Sequence, residues 1–157
     1  MSRLSLEAAV PGNADILLDT SVVLAYLNAD EAASPAATVV IDEFVRPGRN
    51  RATISVVSVA ETFARPFAAG VATVGIVDAF LRHFPNLTVL DIDYDIAREA
   101  ARLRARTSLR TPDALIIATA VIAEISIVVT NDAKWASAMA DAAPAVTLCH
   151  LDAHLPL

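Results

Sequence analysis

The sequence is poor in the residues that cross-link or interrupt a protein chain. Its 157 residues include one cysteine, Cys149, so no disulfide can form within one chain. Glycine occurs 4 times and proline 8 times, which excludes a collagen-like or low-complexity chain. At this length a chain can bury about 70% of the surface that it exposes when unfolded. We therefore expect one domain whose core needs no disulfide or structural metal.

The sequence also lacks a hydrophobic run of membrane-spanning length, although 55% of its residues are hydrophobic and the mean hydropathy is +0.53. The strongest candidate, residues 114–129, falls short of the roughly 20 residues that span a bilayer. Thr119, Glu124 and Ser126 interrupt it. The N-terminus has no sustained apolar stretch of the kind found in signal peptides. We expect a cytoplasmic protein with no membrane-spanning segment.

Positive charge is scarce, since the formal net charge is −6 at pH 7 and Lys134 is the only lysine. This balance argues against a protein that holds nucleic acid by a broad positive surface. The arginines are nevertheless concentrated in two segments, 46–51 and 98–110. A solvated helix face is the simpler interpretation of each segment.

Short apolar runs that favour strands alternate with segments that favour helices. The predicted strands are 16–18, 52–55, 87–90, 125–129 and 146–149. The predicted helices are 21–27, 34–45, 58–68, 75–84, 93–107, 112–123 and 133–140. Strands that are apolar on both faces and separated by helices are typical of an α/β domain with a mostly parallel sheet. We expect residues 1–14 to form a flexible N-terminal extension and residues 15–157 to form the domain.

Four acidic residues lie at strand ends or on helices that follow strands. Asp19 comes directly after the first predicted strand, and Asp132 follows the fourth. Asp113 lies in the first turn of a predicted helix, and Glu61 lies within the third predicted helix. Parallel sheets bind ligands at the carboxyl ends of their strands. These positions therefore predict that the four acids share one edge of the sheet.

Each acid also has a structural explanation when taken alone. Asp19 and Asp132 are candidate helix caps, and negative charge at Asp113 is favourable near a helix N-terminus. Glu61 could form an exposed ion pair with Arg65, four residues further along the helix. Four such acids in one small domain are nevertheless difficult to treat as independent accidents.

A divalent cation would satisfy all four acids together. A half-buried carboxylate needs a partner, and the predicted helix faces that carry Glu61 and Asp113 contain no lysine and few arginines. Ligand sets made of oxygen atoms suit Mg²⁺ or Mn²⁺ rather than zinc. Such ions stabilise phosphoryl charge and activate water. The residues therefore predict a Mg²⁺ or Mn²⁺ site for phosphoryl chemistry.

Four segments that contain these acids occur in a specific order: 16–21, 54–61, 110–116, and 128–132 followed by Trp135. In this order they resemble the motifs of the PIN-domain ribonucleases, and especially the VapC-type toxins of bacterial toxin–antitoxin pairs. Trp135 stands where the family more often has Phe. The resemblance covers nearly the whole chain and implies a three-layer α/β/α fold with four or five mostly parallel strands.

The resemblance also implies a reaction. Family members bind one or two Mg²⁺ or Mn²⁺ ions in an acidic pocket and activate a water for in-line attack on an RNA phosphodiester, leaving a 5′-phosphate and a 3′-hydroxyl. On this model Asp19 and Asp113 are the most direct metal ligands, and Glu61 and Asp132 complete the catalytic pocket. The hydroxyls expected to hydrogen-bond these carboxylates are those of Thr20, Ser21 and Thr130. The arginines expected along the RNA phosphates are Arg102, Arg106 and Arg110.

Two kinds of protein partner follow from the same resemblance. One is a cognate antitoxin whose C-terminal segment would lie across the acidic groove. The other is a second copy of the chain, since family members commonly form dimers. We expect helices within 34–45 and 58–84 to form the dimer surface, because residues such as Val40, Phe44 and Phe80 exceed what one sheet face needs.

Two other functions remain open. An aspartate-based phosphatase or phospho-receiver also places an acid at the end of the first strand. The phosphatase needs a second Asp two residues after the first, where this chain has Ser21. The receiver needs an adjacent acidic pair before its phosphoacceptor, and no such pair precedes the first predicted strand of this chain. The other alternative is a PIN-like binding module without catalytic activity. The presence of all four acids argues against that module.

Overall fold

Five strands and eight helices alternate along residues 2–155, the part of the chain that this computed structural model describes. The strands are β1 (Asp15–Leu18), β2 (Arg51–Ser55), β3 (Leu87–Leu90), β4 (Ile127–Thr130) and β5 (Thr147–His150). The helices are α1 (Ser2–Ala9), α2 (Thr20–Asn28), α3 (Ser34–Thr38), α4 (Val56–Ala69), α5 (Val71–His83), α6 (Tyr94–Arg106), α7 (Thr111–Ile122) and α8 (Trp135–Ala142). A π-helical segment (Val39–Val45) continues α3, and a 3₁₀ turn (Leu151–His154) follows β5.

The strands form one sheet in the order β3-β2-β1-β4-β5, and every neighbouring pair is parallel. The central strand β1 lies between β2 and β4, with Ile16 opposite both Ala52 and Ile127. Because the strands all point the same way, β1 and β4 end side by side at one edge of the sheet. The α/β fold with a mostly parallel sheet that the sequence predicts is confirmed.

Helices cover both faces of the sheet because successive side chains of a strand point to opposite faces. Ile16 and Leu18 belong to the core beneath α2, α3 and α5, whereas Leu17 belongs to the core beneath α6, α7 and α8. Val40, Phe44 and Phe80, which we expect on a dimer surface, lie in the first of these cores. Among the described residues no helix has both the length and the apolar character needed to cross a membrane.

The N-terminal residues that the structure describes differ from the flexible extension expected of residues 1–14. Leu6 in α1 and Val10 just after it are fully buried, and their four-residue spacing places them on one side of the helix. The Asn50 side chain donates to the carbonyl oxygens of Pro11 and Ala14, both at 2.8 Å. Burial and hydrogen bonding therefore hold this segment against the domain. Met1 lies outside the described residues.

Candidate active site

Asp19 lies where the chain leaves the central strand. Its N–H donates to the carbonyl of Val129 in β4 at 3.0 Å, and its extended backbone directly precedes α2. The Asp19 side chain is only 4% exposed, and its Oδ2 accepts hydrogen bonds from Ser21 Oγ at 2.6 Å and Thr130 Oγ1 at 2.9 Å. Burial raises the pKa of the Asp19 carboxyl, and these two hydrogen bonds oppose that effect. Among residues 2–155 no arginine, lysine or histidine forms an ion pair with it.

The loop after β4 joins Asp132 to the same network. Thr130 Oγ1 accepts from the Asp132 N–H at 3.0 Å, and Ser21 Oγ accepts from the Asn131 N–H at 2.9 Å. Asp132 Oδ1 accepts from the Lys134 N–H at 2.9 Å, so its side chain stabilises the turn that leads into α8. Helix α8 begins at Trp135, and the carbonyl of Asp132 accepts from the Trp135 N–H at 3.3 Å, so Asp132 lies close to the capping role that the sequence allows.

Glu61 reaches the site from α4. Ser55 starts this helix, because its Oγ accepts from the Val57 N–H at 3.3 Å. Glu61 is half-buried, and its Oε2 accepts from Thr20 Oγ1 at 2.5 Å. Ser58, one turn earlier on the helix, lies 2.8 Å from the same Thr20 hydroxyl. Since Thr20 follows Asp19 directly, this hydroxyl connects α4 to the end of β1.

Asp113 lies in the first turn of α7, and its side chain is 14% exposed. Its Oδ2 accepts from Arg110 Nε at 3.1 Å, and the Arg110 side chain is 76% exposed. The hydrogen bond and the charge of Asp113 raise the pKa of Arg110, and the charges of Glu61 and Asp132 raise it further. The negative charges of three of the four acids therefore act on Arg110. Within residues 2–155 Glu61 forms no ion pair with Arg65, the structural alternative that its spacing suggests.

The donor set has the chemistry of a site for a hard divalent cation. All four side chains offer carboxylate oxygens, and Asp19 is a buried carboxylate that accepts hydrogen bonds from neutral hydroxyls and amides. As the side chains lie, no three Asp, Glu, His or Cys residues among residues 2–155 converge at the spacing of a metal site. Arg110 contacts Asp113, and Thr20 contacts Glu61. The four carboxylates nevertheless fit Mg²⁺ or Mn²⁺ by donor type.

A cavity of about 200 Å³ opens beside Asp113 and Asp132. Its lining residues are Ser108, Leu109, Arg110, Asp113, Asp132, Lys134, Trp135 and Ala138. Ser108 and Lys134 were not predicted as site residues, and neither lies in a local pattern that distinguishes it from other polar loop residues. A larger cavity of about 690 Å³, between α4, α5 and β3, is lined by none of the four acids.

The three arginines predicted along the RNA have different surroundings. Arg102 donates to the Glu99 carboxylate and, through Nη2, to the Ala142 carbonyl at 2.8 Å. Arg106 ends α6 and lines a cavity next to the one beside the acids. Of the three, Arg110 is the one that contacts a site acid in the described structure.

Residues 16–140 match the model of the PIN domain family. Because the match covers most of the chain, the protein belongs to the PIN domain family, as the four motif segments predict.

Several solved structures share the fold. One is VapC20 of Mycobacterium tuberculosis, described as a toxin that cleaves the sarcin-ricin loop, with a TM-score of 0.65 and 20% identity over 78% of this chain and 94% of that chain. VapBC2 of Rickettsia felis, bound to a promoter DNA fragment, has a TM-score of 0.63 and 20% identity over 87% and 98%. VapBC-5 of M. tuberculosis has a TM-score of 0.58 and 27% identity over 87% and 98%. Comparison with curated proteins gives no match.

Proposed function

We propose that the protein is a metal-dependent endoribonuclease that acts in the cytoplasm as the toxin of a VapBC-type toxin–antitoxin pair. The observation that carries this proposal is the buried Asp19 carboxylate, which lies at the carboxyl end of the central strand and has no cationic partner among residues 2–155. Membership of the PIN domain family and the shared fold with VapC toxins support it.

Asp19 and Asp113 would hold Mg²⁺ or Mn²⁺ most directly, and Glu61 and Asp132 would complete the pocket. When bound, the ion supplies Lewis-acid stabilisation of phosphoryl charge and a lowered pKa for water. The chain's own residues orient this set. Ser21 and Thr130 fix one oxygen of Asp19, and Thr20 fixes one oxygen of Glu61. Hydroxyls that hold a ligand carboxylate in one rotamer maintain its affinity for the metal.

The positive side chains at the edge of the pocket would receive the RNA. Arg110 and Lys134 line the cavity that also contains Asp113 and Asp132. A phosphate that enters this cavity meets both cations, and Arg110 can exchange its hydrogen bond with Asp113 for one with a phosphate oxygen. Such contacts orient the scissile phosphodiester for in-line attack by water. The expected products carry a 5′-phosphate and a 3′-hydroxyl.

The test is cleavage of a structured RNA pool by the purified protein with Mn²⁺ or Mg²⁺, compared with EDTA. The decisive variant is Asp19→Asn, and the matched control is Asp15→Asn. Asp15 begins the same strand but lies at its opposite end, in an exposed ion pair with Arg51. We expect metal-dependent cleavage by the wild type and by Asp15→Asn, and a loss of at least about 10³-fold for Asp19→Asn, since metal charge stabilisation supplies several kcal/mol. Equal cleavage by all three proteins would refute the proposal and favour a binding module.

A cognate antitoxin and a second copy of the chain are the proposed protein partners. The exposed apolar side chains Phe67, Val71 and Ile76 of α4 and α5 are available for such contacts, being 71%, 90% and 66% exposed. One solved structure with this fold is a toxin–antitoxin complex from Klebsiella pneumoniae. Light scattering should show a dimer at micromolar concentrations, and a monomer throughout that range would count against self-association.

A further inference from the structure

A second cavity adjoins the one beside the acids. It has a volume of about 330 Å³ and shares Ser108 and Ala138 with the first. Its lining residues are Arg106, Thr107, Ser108, Ser137, Ala138, Asp141 and Ala142. The two adjoining cavities lie between residues 107–110 and α8, and together we call them the α8 groove. The groove begins at Asp113 and ends at Arg106.

The α8 groove is lined by three cations and three carboxylates, and two of the cations form no ion pair within residues 2–155. Six of the eleven arginines form ion pairs with carboxylates, namely Arg3, Arg46, Arg51, Arg82, Arg102 and Arg110. Within residues 2–155 neither the Arg106 guanidinium nor the Lys134 ammonium forms an ion pair, and both residues are exposed. An uncompensated cation in a groove attracts anionic groups.

The walls of the α8 groove are held in place by hydrogen bonds. Arg102 Nη2 donates to the Ala142 carbonyl at 2.8 Å and thereby joins α6 to the end of α8. Thr107 Oγ1 donates to the Leu103 carbonyl at 2.9 Å and accepts from the Leu109 N–H at 3.3 Å. These contacts fix the 107–110 segment opposite α8, so the groove is already formed before a ligand binds.

The groove contains little that could recognise a base. Its one aromatic lining residue, Trp135, is only 1% exposed, so the indole face cannot stack on a base. The hydroxyls of Ser108 and Ser137 and the two free cations are instead suited to phosphates and to ribose 2′-hydroxyls. These groups favour a ligand that is read through its backbone.

We propose that the α8 groove binds the sugar-phosphate backbone of single-stranded RNA next to the bond that is cut, with Lys134 and Arg106 contacting its phosphates. This inference rests on the proposed function and adds the path that the substrate takes away from the acids. Asp141 lies in the far half of the groove and weakens binding there through its negative charge. Because the contacts are to the backbone, affinity depends strongly on salt and weakly on sequence.

The test measures binding of a fluorescent single-stranded RNA to full-length protein that carries Asp19→Asn, so that cleavage does not interfere. Arg106→Gln and Lys134→Gln are each added to this background. Arg104→Gln is the matched control, because Arg104 is exposed on the same helix as Arg106 but does not line the groove. Melting temperatures establish that every variant is folded.

We expect Arg106→Gln and Lys134→Gln each to weaken binding about 3- to 10-fold and to reduce the slope of log K against log salt by about 0.7. Arg104→Gln should stay within about twofold, and Asp141→Asn should tighten binding. The proposal is overturned if Arg104→Gln costs as much affinity as Arg106→Gln, or if neither groove variant changes the slope.

The same proteins separate this inference from the proposed function. If the wild type cleaves RNA but the two groove variants bind like Arg104→Gln, RNA binding by the α8 groove is refuted and the proposed nuclease activity is not. If the protein neither binds nor cleaves RNA, both proposals fail.

Discussion

The two ends of strand β1 carry the same residue type in opposite circumstances. Asp15 is exposed and paired with Arg51 of β2, whose Nε and Nη2 each donate to one of its oxygens at 2.9 Å. Asp19 is buried, and hydroxyls rather than a cation hold its carboxylate. A buried carboxylate without a counter-ion costs stability. Within the described residues the exposed aspartate has a cationic partner and the buried one has none, and we propose that a metal ion supplies the missing positive charge at Asp19.

Metal binding should give the largest difference between the two aspartates. At a concentration 100 times its Kd, an ion that binds only the folded state adds about 2.7 kcal/mol to the free energy of unfolding. We expect Mn²⁺ to raise the Tm of the wild type and of Asp15→Asn, and EDTA to reverse the increase. For Asp19→Asn the increase should be lost or strongly reduced. An equal Mn²⁺ effect on the Tm of all three proteins would show that Asp19 is not needed for metal binding.

Removing a hydroxyl that orients Asp19 should have the next largest effect. Thr130→Val takes away the hydrogen bond to Asp19 Oδ2 and the acceptor of the Asp132 N–H. We expect RNA cleavage to fall about 10- to 100-fold, as is typical when a residue that supports a metal ligand is changed. Thr119→Val is the control, because Thr119 is also fully buried but its hydroxyl donates to the Leu115 carbonyl of its own helix and to no other group within residues 2–155. Equal losses of RNA cleavage from both variants would show that Thr130 contributes through packing and not by orienting Asp19.

Without metal, Asp19 should destabilise the fold at neutral pH. Since burial raises its folded-state pKa above the ordinary value of 3.8, the folded state favours the protonated acid. Stability from this group is present below pH 3.8 and is lost as the pH rises through the folded-state pKa. Asp19→Asn should therefore stabilise the metal-free protein at pH 7 by about 0.5–2 kcal/mol, a typical gain when a strained functional group is removed.

Urea denaturation of the metal-free wild type and Asp19→Asn at several pH values tests this expectation. The stability advantage of Asp19→Asn should shrink as the pH falls toward 3.8. An advantage that does not change with pH would show that ionisation of Asp19 is not its source.

The smallest effect should come from the opposite end of the strand. Asp15→Asn removes an exposed ion pair and should cost only about 0.2–1 kcal/mol of unfolding free energy. The difference from the wild type should diminish in high salt, because salt screens exposed charges. A loss of several kcal/mol in chemical denaturation would show that Asp15 contributes more than an exposed ion pair.

Local patterns were sufficient to place the strands and to locate the four acids near one sheet edge. The apolar run before Asp19 and the one before Asp132 form neighbouring parallel strands. Parallel strands that are buried on both faces have a distinctive composition, so this part of the fold could be predicted. The boundaries are less exact, since Thr130 belongs to β4, whereas we predict that the strand ends at 129. The metal roles of the acids remain predictions.

The N-terminal segment shows why other features could not be predicted. Leu6 and Val10 are two apolar residues in a short segment, a pattern too weak to distinguish a packed helix from a flexible arm. They are buried against residues that are distant in sequence and come together only in the folded domain. One such contact joins Ser5 Oγ to His154 Nδ1 at 2.8 Å, across almost the whole length of the chain.

The sequence by itself determined the order of the strands and of the helices that follow α1, the family motifs and the position of each acid relative to a strand end. These depend on hydrophobic period and on neighbours a few residues apart. Only the tertiary structure decided that Thr130 bonds Asp19 and that the charges of three acids act on Arg110. It also decided that Arg102 is held by Glu99 and the Ala142 carbonyl, whereas Arg106 forms no ion pair within residues 2–155. Such contacts join residues far apart along the chain, and side chains with the same local pattern acquire different partners only when the layers pack.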